Sequence, residues 1–235
     1  MVGDIRKKKG KSPTTQVKTW LAKNEFLALL LALFSFLFLP SFVSGEVAKD
    51  LTIYILLVIV LVVGVFELSG NKNRFFVGTV LAILVFLLNS WNFSSNENLV
   101  FLLRMTSLLA FFILLTVFVM YRMTIARRIN LNIVYCAVNG YILLGLIGGL
   151  LFRMVHHFYK NSFFFADGLE PKIDDFTYFS FVTLSTLGYG DVTPLSSPGK
   201  ALAIFLSISG PLYLAIIVGV IVGKFIFYMA AKERI

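Results

Sequence analysis

Residues Thr183-Leu184-Ser185-Thr186-Leu187-Gly188-Tyr189-Gly190-Asp191 lie between two long apolar runs, at about 131–155 and 199–230. The stretch 174–191 around them is too short to cross a bilayer, because a spanning helix needs about 20 apolar residues. It therefore enters the membrane and returns on the same side. Non-helical backbone at that depth survives only where it lines a watery cavity or is buried in protein. Gly188 and Gly190 sit at alternate positions, and glycine alone visits the left-handed region without steric cost. Alternating hands along the backbone would turn successive carbonyls toward one side.

Working outward, the composition demands a membrane. The 235 residues are 58% hydrophobic and only 14% charged, with a mean hydropathy of +0.88, far more apolar surface than a soluble core of this size hides. Four more apolar runs precede the two flanking ones, at about 26–45, 51–69, 75–92 and 98–121. The fold class expected is an all-α membrane protein with six spanning helices and one re-entrant helix. Its organisation would be a basic segment 1–24, a four-helix peripheral domain 25–129 and a second membrane domain 130–235. Within the last lie an outer helix 131–155, a re-entrant helix 174–186, a glycine-bearing loop 186–191 and an inner helix 199–230. A basic region before Phe26 to Leu39, with Pro40 and Val43-Ser44-Gly45 after it, also fits a cleavable signal peptide. Cleavage would leave the direction of the remaining spans unchanged.

Seven of the 21 Lys and Arg residues fall in the first 23 positions. A basic tail ahead of a span faces anionic lipid and fixes orientation, and no base-reading fold follows it, so nucleic acid is excluded as a partner. Placing the N terminus inside gathers that tail with Lys72, Arg74, Arg122, Arg127, Arg128, Lys232 and Arg234. The outer face keeps only Lys49, Arg153, Lys160, Lys172 and Lys200. Both termini are thus expected in the cytoplasm, in a plasma or inner membrane. The segment Thr15 to Phe26 reads as an interfacial helix, either a sensor of anionic lipid or an anchor. Cys136 is the single cysteine, so no disulfide or zinc framework is available. Ser185 has no histidine base in its loop, and no other catalytic constellation is present, so no enzyme is expected.

The stretch 183–191 resembles the signature of P-loop potassium channels: a Thr-x-x-Thr pair, Gly-Tyr-Gly and Asp, set between two spanning helices. Potassium crosses quickly only where oxygen ligands replace its water shell, and rings of backbone carbonyls do this. The resemblance implies a homotetramer, with the carbonyls of Thr186, Leu187, Gly188 and Tyr189, and the Thr186 hydroxyl, coordinating K+ as the permeant ion. Gly190 completes the filter backbone, and no other cofactor is implied. Asp174 or Asp175 would cap a short helix whose C-terminal dipole points at the central cavity.

Three positions depart from the family's pattern. Leu187 stands where relatives carry Val or Ile. Tyr178 and Phe179 replace a Trp pair that braces the filter, so the Tyr178 hydroxyl is expected to reach Asp191 while Thr183 helps hold Tyr189. Val182 replaces a Glu that pairs with the aspartate in some relatives.

The resemblance places a hinge at Gly210, followed by Pro211; proline bends a helix whether or not it gates, so hinge and fixed kink both stand. Ala215, Gly219 and Gly223 form a small-residue stripe, expected to pack on Gly145 and Gly149 of the outer helix or to leave a wide cytoplasmic mouth. Arg104 is the only charge between Asn98 and Tyr121, too few for steep voltage gating. The sequence ends at Ile235, and no cytoplasmic ligand-binding domain is expected after it.

Overall fold

A computed structural model describes residues 25–90, 97–126, 131–166, 168 and 171–232. The basic segment 1–24, with its expected interfacial helix, lies outside the described residues. The chain runs α1 (Glu25–Phe38), a 3-10 turn (Leu39–Phe42), α2 (Glu46–Glu67), a second 3-10 turn (Leu68–Gly70), α3 (Lys72–Ser90) and α4 (Glu97–Ile125). Then come α5 (Leu131–Phe158), β1 (Phe163–Phe165), α6 (Ile173–Leu184), β2 (Val192–Pro194) and α7 (Ser197–Lys232). The all-α membrane architecture read from hydropathy is what the chain forms.

Among the described residues, five helices, α2, α3, α4, α5 and α7, are long and apolar enough to cross a bilayer. The first apolar run, expected to span as one helix over 26–45, instead gives the 14-residue α1. Alone it rises about 21 Å, short of the ~30 Å hydrocarbon core. Pro40 explains the break, because it has no N–H to give to the turn before it and restricts Leu39. The chain continues as a 3-10 turn that Val43 closes by donating to the Pro40 carbonyl at 3.3 Å.

One apolar core joins α1, α2, α4 and α5, with Phe111, Phe112, Leu115, Leu29, Leu33 and Leu143 fully buried in it. Asn139, fully buried on α5, donates to the Phe26 carbonyl at 2.9 Å and ties α1 to the pore domain. Arg74 and Arg122 lie over the Phe118 ring at 5.1 and 5.9 Å, so their stems pack on the bundle while the cations meet aromatic faces. Arg104 donates from Nε to the Leu88 carbonyl at 2.7 Å, joining α4 to the last turn of α3.

A second, smaller core lies where α5, α6, α7 and the two strands meet. Phe152, Phe163, Phe176 and Phe179 form an aromatic box with Leu184, Val192 and Leu206. Phe152 meets Phe163 edge-on at 5.5 Å and Phe179 at 4.6 Å.

The glycines of α5 serve a different neighbour from the one expected. Gly145 faces the Phe181 ring, Gly148 faces Ser180 and Leu206, and Gly149 faces the Thr177 backbone. Gly145 and Gly149 thus seat the re-entrant helix α6, while Gly148 lies where α6 and the inner helix α7 both approach α5. Gly219 and Gly223 of α7 meet nothing within 4 Å, so the expected packing of that stripe against Gly145 and Gly149 does not occur within a chain. The physical reason is depth: α6 occupies the groove of α5 that the glycines open.

The two stripes make a paired test. A methyl on Gly149 would come within 2.9 Å of the Thr177 Cα, while one on Gly219 meets open space. Both changes gain helix propensity of about 1 kcal/mol. Gly149→Ala is expected to lower the melting temperature in detergent and Gly219→Ala to leave it unchanged or raised; equal melting temperatures would contradict the seat.

Candidate functional site

The site is built by α6 and the nine residues after it. α6 is capped by Asp175, whose Oδ2 accepts from the Lys172 backbone N–H at 2.6 Å, the return half of a capping box. Asp174, the other candidate, instead forms an ion pair with Lys49 at the start of α2. The peripheral helices therefore hold the N-terminal end of α6 directly. Further along, the Ser180 hydroxyl donates to the Gly145 carbonyl at 2.7 Å.

The C-terminal end of α6 presses against α7. A Cβ on Gly210 would lie 1.8 Å from the Leu184 carbonyl oxygen. Glycine is required there for close approach of two backbones, a reason independent of bending. α7 is a single continuous helix through Pro211.

The chain then turns into an irregular segment whose amide groups point back. Ser185 N–H donates to the Phe181 carbonyl at 2.9 Å and Thr186 N–H to the Thr183 carbonyl at 3.0 Å. The Val182 carbonyl receives both Leu187 and Gly188 N–H, at 3.0 and 3.4 Å. With those donors satisfied on one side, the carbonyls of the segment are left for the other. The dihedrals alternate accordingly: φ is +58° at Thr186, +60° at Gly188 and +82° at Gly190. No neighbour would crowd a Cβ at either glycine, so backbone conformation, not space, is what requires glycine. Left-handed Thr186 was not foreseen from the sequence; a β-branched residue there is an outlier costing about 1–3 kcal/mol.

Beyond the segment, the Tyr178 hydroxyl donates to Asp191 Oδ2 at 2.6 Å. Asp191 Oδ1 accepts from the Val192 N–H at 3.0 Å. No hydrogen bond joins Thr183 to Tyr189 within the chain; Thr183 contributes its carbonyl to the turn instead.

A two-stranded ribbon closes both ends of the re-entrant stretch, and the sequence reading missed it. β1 and β2 pair antiparallel, Phe163 opposite Pro194 and Phe165 opposite Val192. Ala166 N–H reaches the Asp191 carbonyl at 2.9 Å. Three consecutive phenylalanines before α6 were the available signal. The whole segment 185–190 is exposed in a single chain, with Tyr189 68% and Leu187 56% accessible. Large side chains braced from one side and bare on the other mark a surface that other groups cover.

Comparison with known proteins places this geometry. Residues 140–227 match the family model described as "Ion channel". Over 89 residues the chain is 37% identical to the mouse (Mus musculus) protein named potassium voltage-gated channel subfamily A member 6, covering 37% of this chain and 16% of that protein. Human subfamily A member 4 is 36% identical over 90 residues, covering 36% of this chain and 14% of its own length. Subfamily A member 2 of Xenopus laevis is likewise 36% identical over 90 residues, 36% of this chain and 18% of its own. The chain thus spans less than a fifth of each of these relatives. The likeness is to a potassium-channel family, and the family-model match covers α7 through residue 227, the site and all of α5 from Gly140 onward.

Proposed function

We propose that the chain is one subunit of a potassium-selective channel, four copies of which surround a central pore. The observation that carries this reading is the alternation of left-handed backbone at Thr186, Gly188 and Gly190 in an exposed strand braced by α6. Four such strands present the carbonyls of Thr186, Leu187, Gly188 and Tyr189, with the Thr186 hydroxyl, as rings of oxygen around dehydrated K+. Gly190 supplies the last turn of that backbone and Asp191 anchors it through Tyr178. Thr183 supports the filter from the helix side. Exposed Leu187 and Tyr189 then pack against neighbouring copies.

α6 contributes electrostatically. Its C-terminal carbonyls aim at the cavity below the filter, and four partial negative charges favour a waiting cation. The inner helix α7 lines that cavity, with Gly210 and Pro211 as the place where bending would gate the pore. The packing of Gly210 on Leu184 favours the fixed-kink alternative. Positive charge distribution puts both termini in the cytoplasm of a plasma or inner membrane, with the basic N-terminal segment against anionic lipid. Conduction is passive, K+ is its only ion partner, and no enzymatic step is involved.

The relatives are named as voltage-gated, but the family-model match begins at residue 140, after α4. Arg104 of α4 is engaged with the Leu88 carbonyl, and a moving charge contributes about 2.3 kcal/mol per 100 mV, with three or four needed per subunit for steep gating. The conductance of the purified channel is expected to vary shallowly with voltage. Activation over a few tens of millivolts would show a sensor that this account lacks.

Reconstituted into liposomes with potassium inside and sodium outside, the protein is expected to set a reversal potential close to that of K+. Equal passage of both ions would instead make it a non-selective cation pore, and no flux at all would make it an accessory subunit. Tyr178→Phe removes a hydrogen bond to a carboxylate worth about 1.5–3 kcal/mol, enough to shift an equilibrium between conducting and collapsed filters roughly tenfold or more. The fraction of current sustained through a long recording should fall by that order, and an unchanged fraction would deny Tyr178 its bracing role.

A further inference from the structure

Lys224 is the only charged residue of α7 between Lys200 and Lys232. An ionisable group inside an apolar spanning helix is costly and persists only where it has partners or a task. Its partners come from the far side of the chain. The Nζ donates to the carbonyls of Met123 at 2.7 Å, Thr124 at 3.0 Å and Ala126 at 2.7 Å. These are at the C-terminal end of α4, where a helix leaves carbonyls without internal donors and carries the negative end of its dipole. An ammonium has three protons to give, and all three are used. The contact is therefore a fully satisfied C-cap for one helix made by a side chain of another.

The direction of the tether follows from the face it occupies. Among the described side chains of α7, Gly199, Leu206, Gly210, Tyr213 and Ile217 are buried, spaced by seven, four, three and four residues as along one seam of a helix. Lys224 continues that seam. Tyr213 on the same face donates to the Ala137 carbonyl at 2.8 Å, and Ile221 packs against the peripheral core. Gly219 and Gly223, which meet nothing in the chain, lie on the other side. Lys224 thus pulls the cytoplasmic half of α7 toward its own peripheral helices and away from its uncovered face. Only five residues separate the end of α4 at Ile125 from the start of α5 at Leu131, so α4 stays beside the pore helices of its own subunit.

We propose that Lys224 is a positioning residue that latches the inner helix to the C terminus of α4 and so holds the cytoplasmic mouth apart. This rests on the channel reading, in which the uncovered face of α7 borders the pore axis. A displacement of α4 is transmitted to the mouth through this side chain, beside the apolar packing of Ile217 and Ile221. When the cap is lost, the four inner helices are free to close on the axis.

The test compares Lys224→Met, which keeps length and apolar stem but donates nothing, with Lys224→Arg, which keeps the charge and donors. In planar bilayers Lys224→Met is expected to lower open probability at least fivefold with unitary conductance and K+ over Na+ selectivity unchanged, and Lys224→Arg to recover most of the loss. An open probability within twofold of the parent would overturn the proposal, as would a Met variant with altered unitary conductance. A second readout does not depend on conduction. Spin labels at Thr124 and Val222, in a Cys136→Ala background diluted with unlabelled chains, should report a longer or broader distance in the Met variant. An unchanged distance overturns the latch; a longer distance in the Met variant, with a parent protein that passes no potassium, supports the latch and removes the channel reading alone.

Discussion

The segment 185–190 exists in its observed form because its amide groups have somewhere to go. Val182, a carbonyl acceptor in the last turn of α6, takes two of them at once, and that forces the backbone after it through left-handed positions. The cost is carried at Thr186 as well as at the glycines. Everything else in the pore domain keeps α6 where those bonds can form. Lys49 and the Asp175 cap fix its start, the glycines of α5 fix its flank, and the contact of Leu184 with Gly210 fixes its end. A helix of 12 residues would not be stable alone in water; here it is held on three sides by backbone-level contacts.

The aromatic box and the ribbon hold the two neighbouring positions 178 and 179 in different roles. Tyr178 faces Asp191, while Phe179 turns the other way into Phe152 and Phe163. Adjacent positions on a helix are about 100° apart, so one residue supplies a hydrogen bond and the next supplies packing. The ribbon then ties the entrance of the re-entrant stretch to its exit, which keeps Asp191 within reach of Tyr178 while the segment between them stays exposed.

Much of this was legible in the sequence. The apolar runs located every spanning helix, since hydropathy over some twenty residues is a strong signal. Gly188 and Gly190 disclosed the alternating backbone, because only glycine is cheap there. What escaped was of two kinds. Short elements carry weak patterns, so three residues of ribbon at Phe163–Phe165 went unread. Contacts between distant parts of the chain carry none at all: Gly145 and Gly149 were visible as small residues, yet whether they faced α6 or α7 depended on which helix lay deeper in the groove. α1 fell between these cases. Pro40 was noted as a breaker, but a run of apolar residues continued past it and outweighed it.

Charged side chains of α2, α3 and α4, among them Lys49, Arg74, Arg104 and Arg122, are engaged within the chain. Arg104, the one charge in the middle of α4's sequence, spends its Nε donor on a carbonyl of α3, which fixes α4 rather than freeing it to move. The cations at the other end, Arg74 and Arg122, rest on Phe118. Lys49 holds the start of α6, and at the C-terminal end of α4 three carbonyls hold Lys224. The bundle therefore touches the helices around the site at two places, the start of α6 and Lys224 of α7, through charged groups that bond to a carboxylate or to backbone. A bundle so attached sets the positions of α6 and α7 together.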